Sequence, residues 1–214
     1  GVGLVGSEMC IRDSYNPKPE ESIEAMAKEK GVTAAELAYE ILIENDGNNF
    51  IYAPLVNYAD HTFGVCKKML DDKNAIMGLG DGGAHVGFIL DAGYPTWLIS
   101  YWSVKQKVYS MEETVRRLTS DTANAAGLND RGLLKVGLKA DINIIDWENV
   151  GSSDPFMTQD LPAGGKRLMQ HTKGYVTTIV SGVVTYKNGK FTKERPGTVV
   201  KSVKDEEKTL EFIN

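Results

Sequence analysis

Residues 78–87 read GLGDGGAHVG, a single carboxylate, Asp81, among five glycines with His85 four residues on. An apolar run, Ala75-Ile76-Met77-Gly78-Leu79, comes immediately before it. The pattern predicts a strand over 74–79 that ends where a glycine-rich loop begins. A carboxylate at the end of a strand, with an imidazole nearby, suits a metal or acid–base site. Gly82 and Gly83 would allow close backbone approach or a positive φ at that rim. One Asp and one His do not hold an ion, so further partners are needed.

Working outward, the N-terminal side is helical. Ile23-Glu24-Ala25-Met26-Ala27 leads to Gly31, a residue suited to the left-handed helix stop. Thr33 and Glu36 form a capping box. Behind them Ala34, Leu37, Ala38, Ile41 and Leu42 recur at helical spacing as one apolar stripe, which Gly47 closes. Residues 49–53 read as a strand, with Pro54 at its end and Asn57 just beyond, on the same rim as Asp81. A second helix is expected over 60–70. After the glycine loop, Thr96 is placed to cap a helix over 97–102, and Ser110 with Glu113 forms another capping box. A short helix over 121–126 stops at Gly127. This order of helices and strands is the grammar of an α/β fold with parallel strands.

From residue 131 the grammar changes. Residues 132–137 and 140–146 read as short strands, and 176–186 as two more around a glycine turn. Asn188-Gly189 is the type I′ hairpin signal ahead of Phe191. The Lys/Glu-rich tail, 201–214, reads as a solvated end. The organisation expected is therefore 1–14 apart, 15–130 as α/β, and 131–214 as a β-rich part with its tail.

The bulk numbers exclude several classes. The chain has 214 residues, 42% hydrophobic and 25% charged, with a formal net charge of −5. An acidic balance gives no electrostatic reason to bind nucleic acid or an anionic membrane. No apolar run approaches the roughly 20 residues of a membrane-spanning helix. Two cysteines, Cys10 and Cys66, provide neither a disulfide framework nor a Cys-rich zinc site. A reducing, cytoplasmic setting is expected. The opening GVGLVGSEMCIRDS lacks the regions of a secretion signal. It resembles a peptide that recurs where adaptor or primer DNA has been translated, so residues 1–14 are expected to be non-native and the natural protein to continue upstream.

The order of motifs carries a family resemblance. GLGDGGAHVG, then TSDTANAAGL at 119–128, RGLLKVGLKADINIID at 131–146, DLPAGGKRL at 160–168 and VSGVVTYKNGKF at 180–191 resemble the C-terminal part of amidohydrolase-superfamily enzymes. The nearest likeness is to the N-acyl-D-amino-acid deacylase (D-aminoacylase) group, amidohydrolase family 3. The resemblance implies the C-terminal portion of a (β/α)8 TIM-type barrel plus part of a small β-sandwich. It implies one or two catalytic zinc ions, with Asp81 as the aspartate at the end of the last barrel strand, both metal ligand and catalytic base. A barrel's active groups sit at the C-terminal ends of its strands, the position assigned to Asp81 on pattern alone.

Similar enzymes take their other ligands from earlier strands, starting with an H-x-H pair. This chain has three histidines, His61, His85 and His171, and no H-x-H. The remaining ligands are expected upstream, and the 214-residue chain itself is expected to be inactive. The implied reaction is hydrolysis of a non-peptide C–N bond in a small-molecule amide such as an N-acyl amino acid. Two alternatives remain open, a cyclic-amide hydrolase of the hydantoinase or dihydroorotase kind and a catalytically dead relative used for binding or assembly. A homo-oligomer of the full-length protein is also left open. Contact with the substrate, or support of a metal-bound water, falls to His85, Asn57, Gly82 and Gly83, with His85 equally able to serve the loop backbone. His61 reads as part of the next helix or its cap, and His171 as surface. Lys166-Arg167 either faces an acidic substrate or serves loop packing or a salt bridge. Deacylases of this group usually carry an Arg near the end of the last strand for the substrate carboxylate, whereas here the first after Asp81 is Arg116. Trp97 and Trp102 read as core.

Overall fold

Thr33 shows how local chemistry sets the first elements. Its hydroxyl accepts the Glu36 N–H at 3.2 Å, and the Glu36 carboxylate accepts the Thr33 N–H at 2.9 Å. That reciprocal pair starts a helix by satisfying two donors that have no partner inside it. The computed structural model describes residues 10–11, 16–53, 58, 60–78, 85–90 and 92–200. In chain order the elements are β1 (Cys10–Ile11), α1 (Ile23–Lys30), α2 (Ala34–Gly47), β2 (Ile51–Tyr52), α3 (Gly64–Asp71) and α4 (Tyr94–Trp97). A π-helical segment, Leu98–Lys105, continues α4, and α5 (Met111–Leu118) and α6 (Ser120–Ala125) follow. Then come β3 (Ile142–Ile145), β4 (Gly151–Ser152), β5 (Phe156–Leu161), β6 (Gly165–Met169), β7 (Thr172–Lys173), β8 (Tyr175–Val180), β9 (Val183–Lys187) and β10 (Lys190–Phe191). The fold is mixed α/β. No helix among the described residues is long and apolar enough to cross a membrane.

The chain divides into two compact units, Gly1–Ala75 with Asp154–Met169, and Ile76–Ser153 with Gln170–Asn214. In the first, α1 ends at Gly31 with φ +70° and packs on α2. Their shared core is Ile23, Ala27, Leu37 and Ile41. The helical path of α2 breaks after Ile43, where Asn45, Asp46 and Gly47 all take positive φ. Strand β2 is shorter than expected and pairs antiparallel with β1, Cys10 opposite Tyr52. Strands β5 and β6 form a hairpin through the turn at Pro162–Gly164.

In the second unit a four-stranded antiparallel sheet runs in the order β10-β9-β8-β3. Ser181-Gly182 (φ +51° and +81°) and Asn188-Gly189 (φ +49° and +74°) make its two tight turns. Both are left-handed pairs, as the type I′ turn requires. The side chain of Asp141 accepts the Ser181 N–H at 2.8 Å and receives Arg131 at 3.2 Å, fastening the first turn to the loop before β3.

Several expectations are corrected here. Residues 75–78 form no strand, and neither do 132–137, since an extended run becomes a strand only when a neighbour accepts its ladder hydrogen bonds. Every ladder among the described residues is antiparallel, so the parallel pairing expected before residue 131 is not found there. Thr96 does not cap a helix. The helix starts earlier, after Gly93 with Pro95 in its first turn, and the Thr96 hydroxyl instead lies 2.9 Å from that of Tyr175. The tail, 201–214, lies outside the described residues.

Candidate functional site

Asp81, Gly82, Gly83 and Asn57, four of the five residues singled out for the site, lie outside the described residues. The approach to Asp81 is described as far as Gly78. Helix α3 stops at Asp72, whose carboxylate accepts the Asn74 N–H at 2.8 Å and whose carbonyl accepts the Ala75 N–H at 3.0 Å. This Asx turn redirects the chain out of the helix and into 75–78.

His85 is described and exposed. Its backbone is left-handed, φ +49°, a region that a non-glycine residue enters at a cost and that His tolerates better than most. Its carbonyl accepts the N–H of Phe88 at 2.9 Å and of Ile89 at 3.0 Å, which closes a tight turn just past the glycine loop. The imidazole packs 5.2 Å from the Phe88 ring, and Phe88 is 69% exposed. His85 therefore anchors its turn through the backbone and presents its ring beside an exposed phenyl.

The other histidines are elsewhere. His61, in the first unit, has φ +53° and meets Tyr58 edge-on at 6.2 Å. Next to it, hydrogen bonds from Thr62 hold the Asp60 carboxyl below its ordinary value. The Tyr58 ring is buried, its hydroxyl 2.7 Å from Asn16 Oδ1. His171, in the second unit, is exposed; its N–H donates to Ser153 Oγ at 3.0 Å and its carbonyl accepts the Ser153 N–H at 2.8 Å. That exchange extends the β4–β7 pairing. Among the described residues no three His, Cys, Asp or Glu side chains converge to hold a metal ion. The described donors alone do not fit a metal centre.

Arg167 makes a fork to Asp160, at 2.7 and 2.6 Å, across the β5–β6 hairpin. Of the two readings of Lys166-Arg167, the salt bridge is the one found for Arg167. What the residue pattern did not reveal is the π-helical turn at 98–105, where the Gln106 N–H reaches the Tyr101 carbonyl five residues back, at 2.8 Å. Trp97 stacks on Tyr101 at 4.5 Å, and Trp102, 5% exposed, meets both edge-on. Trp97, Tyr101 and Trp102 are legible in the sequence as neighbouring rings, but nothing in their spacing marks a five-residue turn.

Residues 7–186 match the family model described as Amidohydrolase family. The chain belongs to the amidohydrolase family. Three solved structures are similar to it, all of D-aminoacylase. One, reported as defining a novel subset of amidohydrolases, is 22% identical with a TM-score of 0.46. That match covers 87% of this chain and 36% of the other. A D-aminoacylase mutant in complex with copper chloride is 21% identical, TM-score 0.47, covering 89% and 37%. A third, concerned with the functional role of the binuclear metal centre in D-aminoacylase, is 20% identical, TM-score 0.45, covering 87% and 36%. This chain thus spans a little over a third of the length of the structures it matches. No curated protein matches it.

Proposed function

We propose that this chain supplies the final aspartate of a metal-dependent hydrolase that cleaves a non-peptide C–N bond in an N-acyl amino acid or related small amide. The observation that carries this reading is the family match over 7–186, which includes the carboxylate-bearing loop GLGDGGAHVG. The barrel-plus-sandwich architecture belongs to the same proposal.

Amides resist water because the carbonyl is weakly electrophilic and the nitrogen leaves poorly. A divalent ion held at Asp81, for which we propose zinc in one or two sites, would supply a Lewis acid for the carbonyl and a water whose pKa is lowered towards about 7. Asp81 is the ligand this chain contributes, the others coming from the rest of the full-length protein. The Asp81 carboxylate accepts the proton of the attacking water and passes a proton to the departing nitrogen, giving an acid and an amine. His85 hydrogen-bonds the substrate or water from its turn just past the glycine loop. Gly82 and Gly83 let the backbone approach. The partner is a small molecule rather than nucleic acid or membrane, in a cytoplasmic setting, with the net charge of −5 in support.

A second reading, a cyclic-amide hydrolase, is favoured by one observation. With Arg167 engaged by Asp160 and no Arg between Asp81 and Arg116, an amino-acid carboxylate lacks an evident fork.

The test is hydrolysis by the full-length protein of a panel of N-acetyl amino acids and cyclic amides. Turnover that a chelator abolishes is expected, with Asp81→Asn lowering kcat by about 10²–10⁴-fold. Undiminished turnover in Asp81→Asn would overturn the assignment. The 214-residue chain alone is expected to be silent, and zinc-dependent turnover by it would show that the ligands are not elsewhere.

A further inference from the structure

The register of the four-stranded sheet sorts the corner at β9 and β10 into two faces. Tyr186 and Phe191 lie opposite one another and share one face. Lys187 and Lys190 lie opposite one another in the next row, on the other face. Tyr186 and Phe191 are 46% and 41% exposed and their rings are 5.3 Å apart, with the Arg195 guanidinium 5.8 Å from the centre of the Phe191 ring. Like charges set directly opposite destabilise a hairpin, and these two lysines flank the Asn188-Gly189 turn. Among the described residues no acid pairs with either of them, nor with Lys193 or Arg195. Residues 187–195 thus hold four cations against one acid, Glu194, in a chain whose net charge is −5. Thr192 turns its N–H inward to the Thr185 carbonyl, at 2.9 Å. By the alternation of an antiparallel ladder, Phe191 between Lys190 and Thr192 turns its N–H and carbonyl outward. That outer edge of β10 has no ladder partner among the described residues.

We propose that this corner docks an extended acidic segment of a partner protein, in which an apolar or aromatic residue stands between two acidic ones. The middle residue takes the outward N–H and carbonyl of Phe191 and lays its side chain beside the Phe191 and Tyr186 rings. Its two neighbours in sequence fall on the opposite face, where Lys190 and Lys187 meet their carboxylates. Charge complementarity selects this occupant. A basic or neutral segment leaves two apposed lysines uncompensated, and a register shifted by one residue sets carboxylates on the rings. The net charge of −5 gives a long polyanion or an anionic membrane no wide basic field to follow, whereas a short acidic segment needs only these few groups. Docking here is independent of the chemistry assigned to Asp81.

The probe is a short fluorescein-labelled peptide that alternates glutamate with phenylalanine, titrated with the full 214-residue chain by fluorescence anisotropy. Saturable binding that weakens with added salt is expected, with slowed hydrogen exchange at the Phe191 amide when the peptide is bound. Lys187→Glu and Lys190→Glu should each weaken binding by about tenfold. Each single reversal sets opposite charges across the turn, so the hairpin itself should hold. The double variant should instead bind a peptide with lysine in place of glutamate, which the unsubstituted chain should not. Absence of saturable binding overturns the proposal, as does binding that the lysine variants leave unchanged or that leaves the Phe191 amide unprotected. Tighter binding of a single-stranded oligonucleotide or of anionic vesicles than of the peptide also overturns it. So does loss of peptide binding as the chain self-associates, which would mark a second copy as the occupant.

Discussion

Residues 94–118 and the sheet β10-β9-β8-β3 hold their shapes by opposite means. In the helical stretch Leu98, Ile99, Trp102, Tyr109 and Thr114 are all at most 5% exposed. In the four strands of the sheet only Thr185 is buried. The first region is specified by side-chain packing. The second is specified by backbone devices, namely two left-handed turns, the clasp of Asp141 on Ser181, and the ladders themselves. Substitutions should therefore hurt the two regions through different atoms.

The largest effect is expected at Leu98, which is completely buried. Leu98→Ala should lower stability in urea unfolding by about 3 kcal/mol, from lost transfer energy plus the cavity left behind. Val183→Ala in the sheet, where the side chain is already 37% exposed, should lose less than about 1 kcal/mol. Equal losses would break the comparison.

In the sheet unit the costly change is one that strikes backbone. Gly174, between β7 and β8, has φ +86°, and a Cβ there would stand 2.6 Å from Val150 Cα. Gly174→Ala should destabilise by roughly 2–3 kcal/mol, through φ strain and a clash with atoms that cannot move aside. Gly189→Ala, with φ +74° but open space around it, should lose only about 1 kcal/mol. The difference between the two measures the clash apart from the strain.

Thr114 sharpens the contrast from the other side. Its hydroxyl is fully buried in the helical stretch and has no hydrogen-bond partner among the described residues. Thr114→Val keeps the shape and removes the unsatisfied oxygen, so thermal unfolding should show a gain of up to about 1 kcal/mol. A loss of that size would mean that the hydroxyl has found a partner in solution.

What the sequence made legible follows the same division. Local backbone chemistry could be read directly: the Thr33–Glu36 box, the stop at Gly31 and the Asn188-Gly189 turn each need only neighbouring residues. Packing and pairing could not. Leu133, Leu134 and Val136 lie in an apolar run that reads as a strand, yet they are 58%, 84% and 100% exposed and no described strand pairs with them. Gly132 was read as a strand residue, whereas its φ of +89° and a would-be Cβ 2.9 Å from that of Ala123 mark a tight turn against α6. The helix starts at Tyr94 and not after Thr96 because Pro95, with its fixed φ, suits the first turn. For the site, the sequence supplied the carboxylate and its histidine neighbour. A ligand set depends on groups far apart in the chain, which no local pattern reveals.

The smallest expected effect tests whether surface charge can imitate burial. Asp160 and Arg167 are paired across the β5–β6 hairpin with 46% and 35% of their side chains exposed. The guanidinium, mainly through its hydrogen bonds, holds the Asp160 carboxyl below its ordinary value of 3.8. A folded-state value that is depressed gives stability that is present above the unfolded value and lost as pH falls through the folded one. Opening of this hairpin, followed by exchange of the 156–169 amides, should therefore increase slightly below about pH 4. Asp160→Asn should remove that dependence and leave global unfolding at neutral pH nearly unchanged, because solvent and salt screen an exposed pair. Added salt should weaken the wild-type dependence and leave the Leu98→Ala loss untouched. If instead Asp160→Asn unfolded the chain as readily as Leu98→Ala does, an exposed ion pair would be holding as much structure as a filled core, and the division between the packed helices and the backbone-specified strands would not stand.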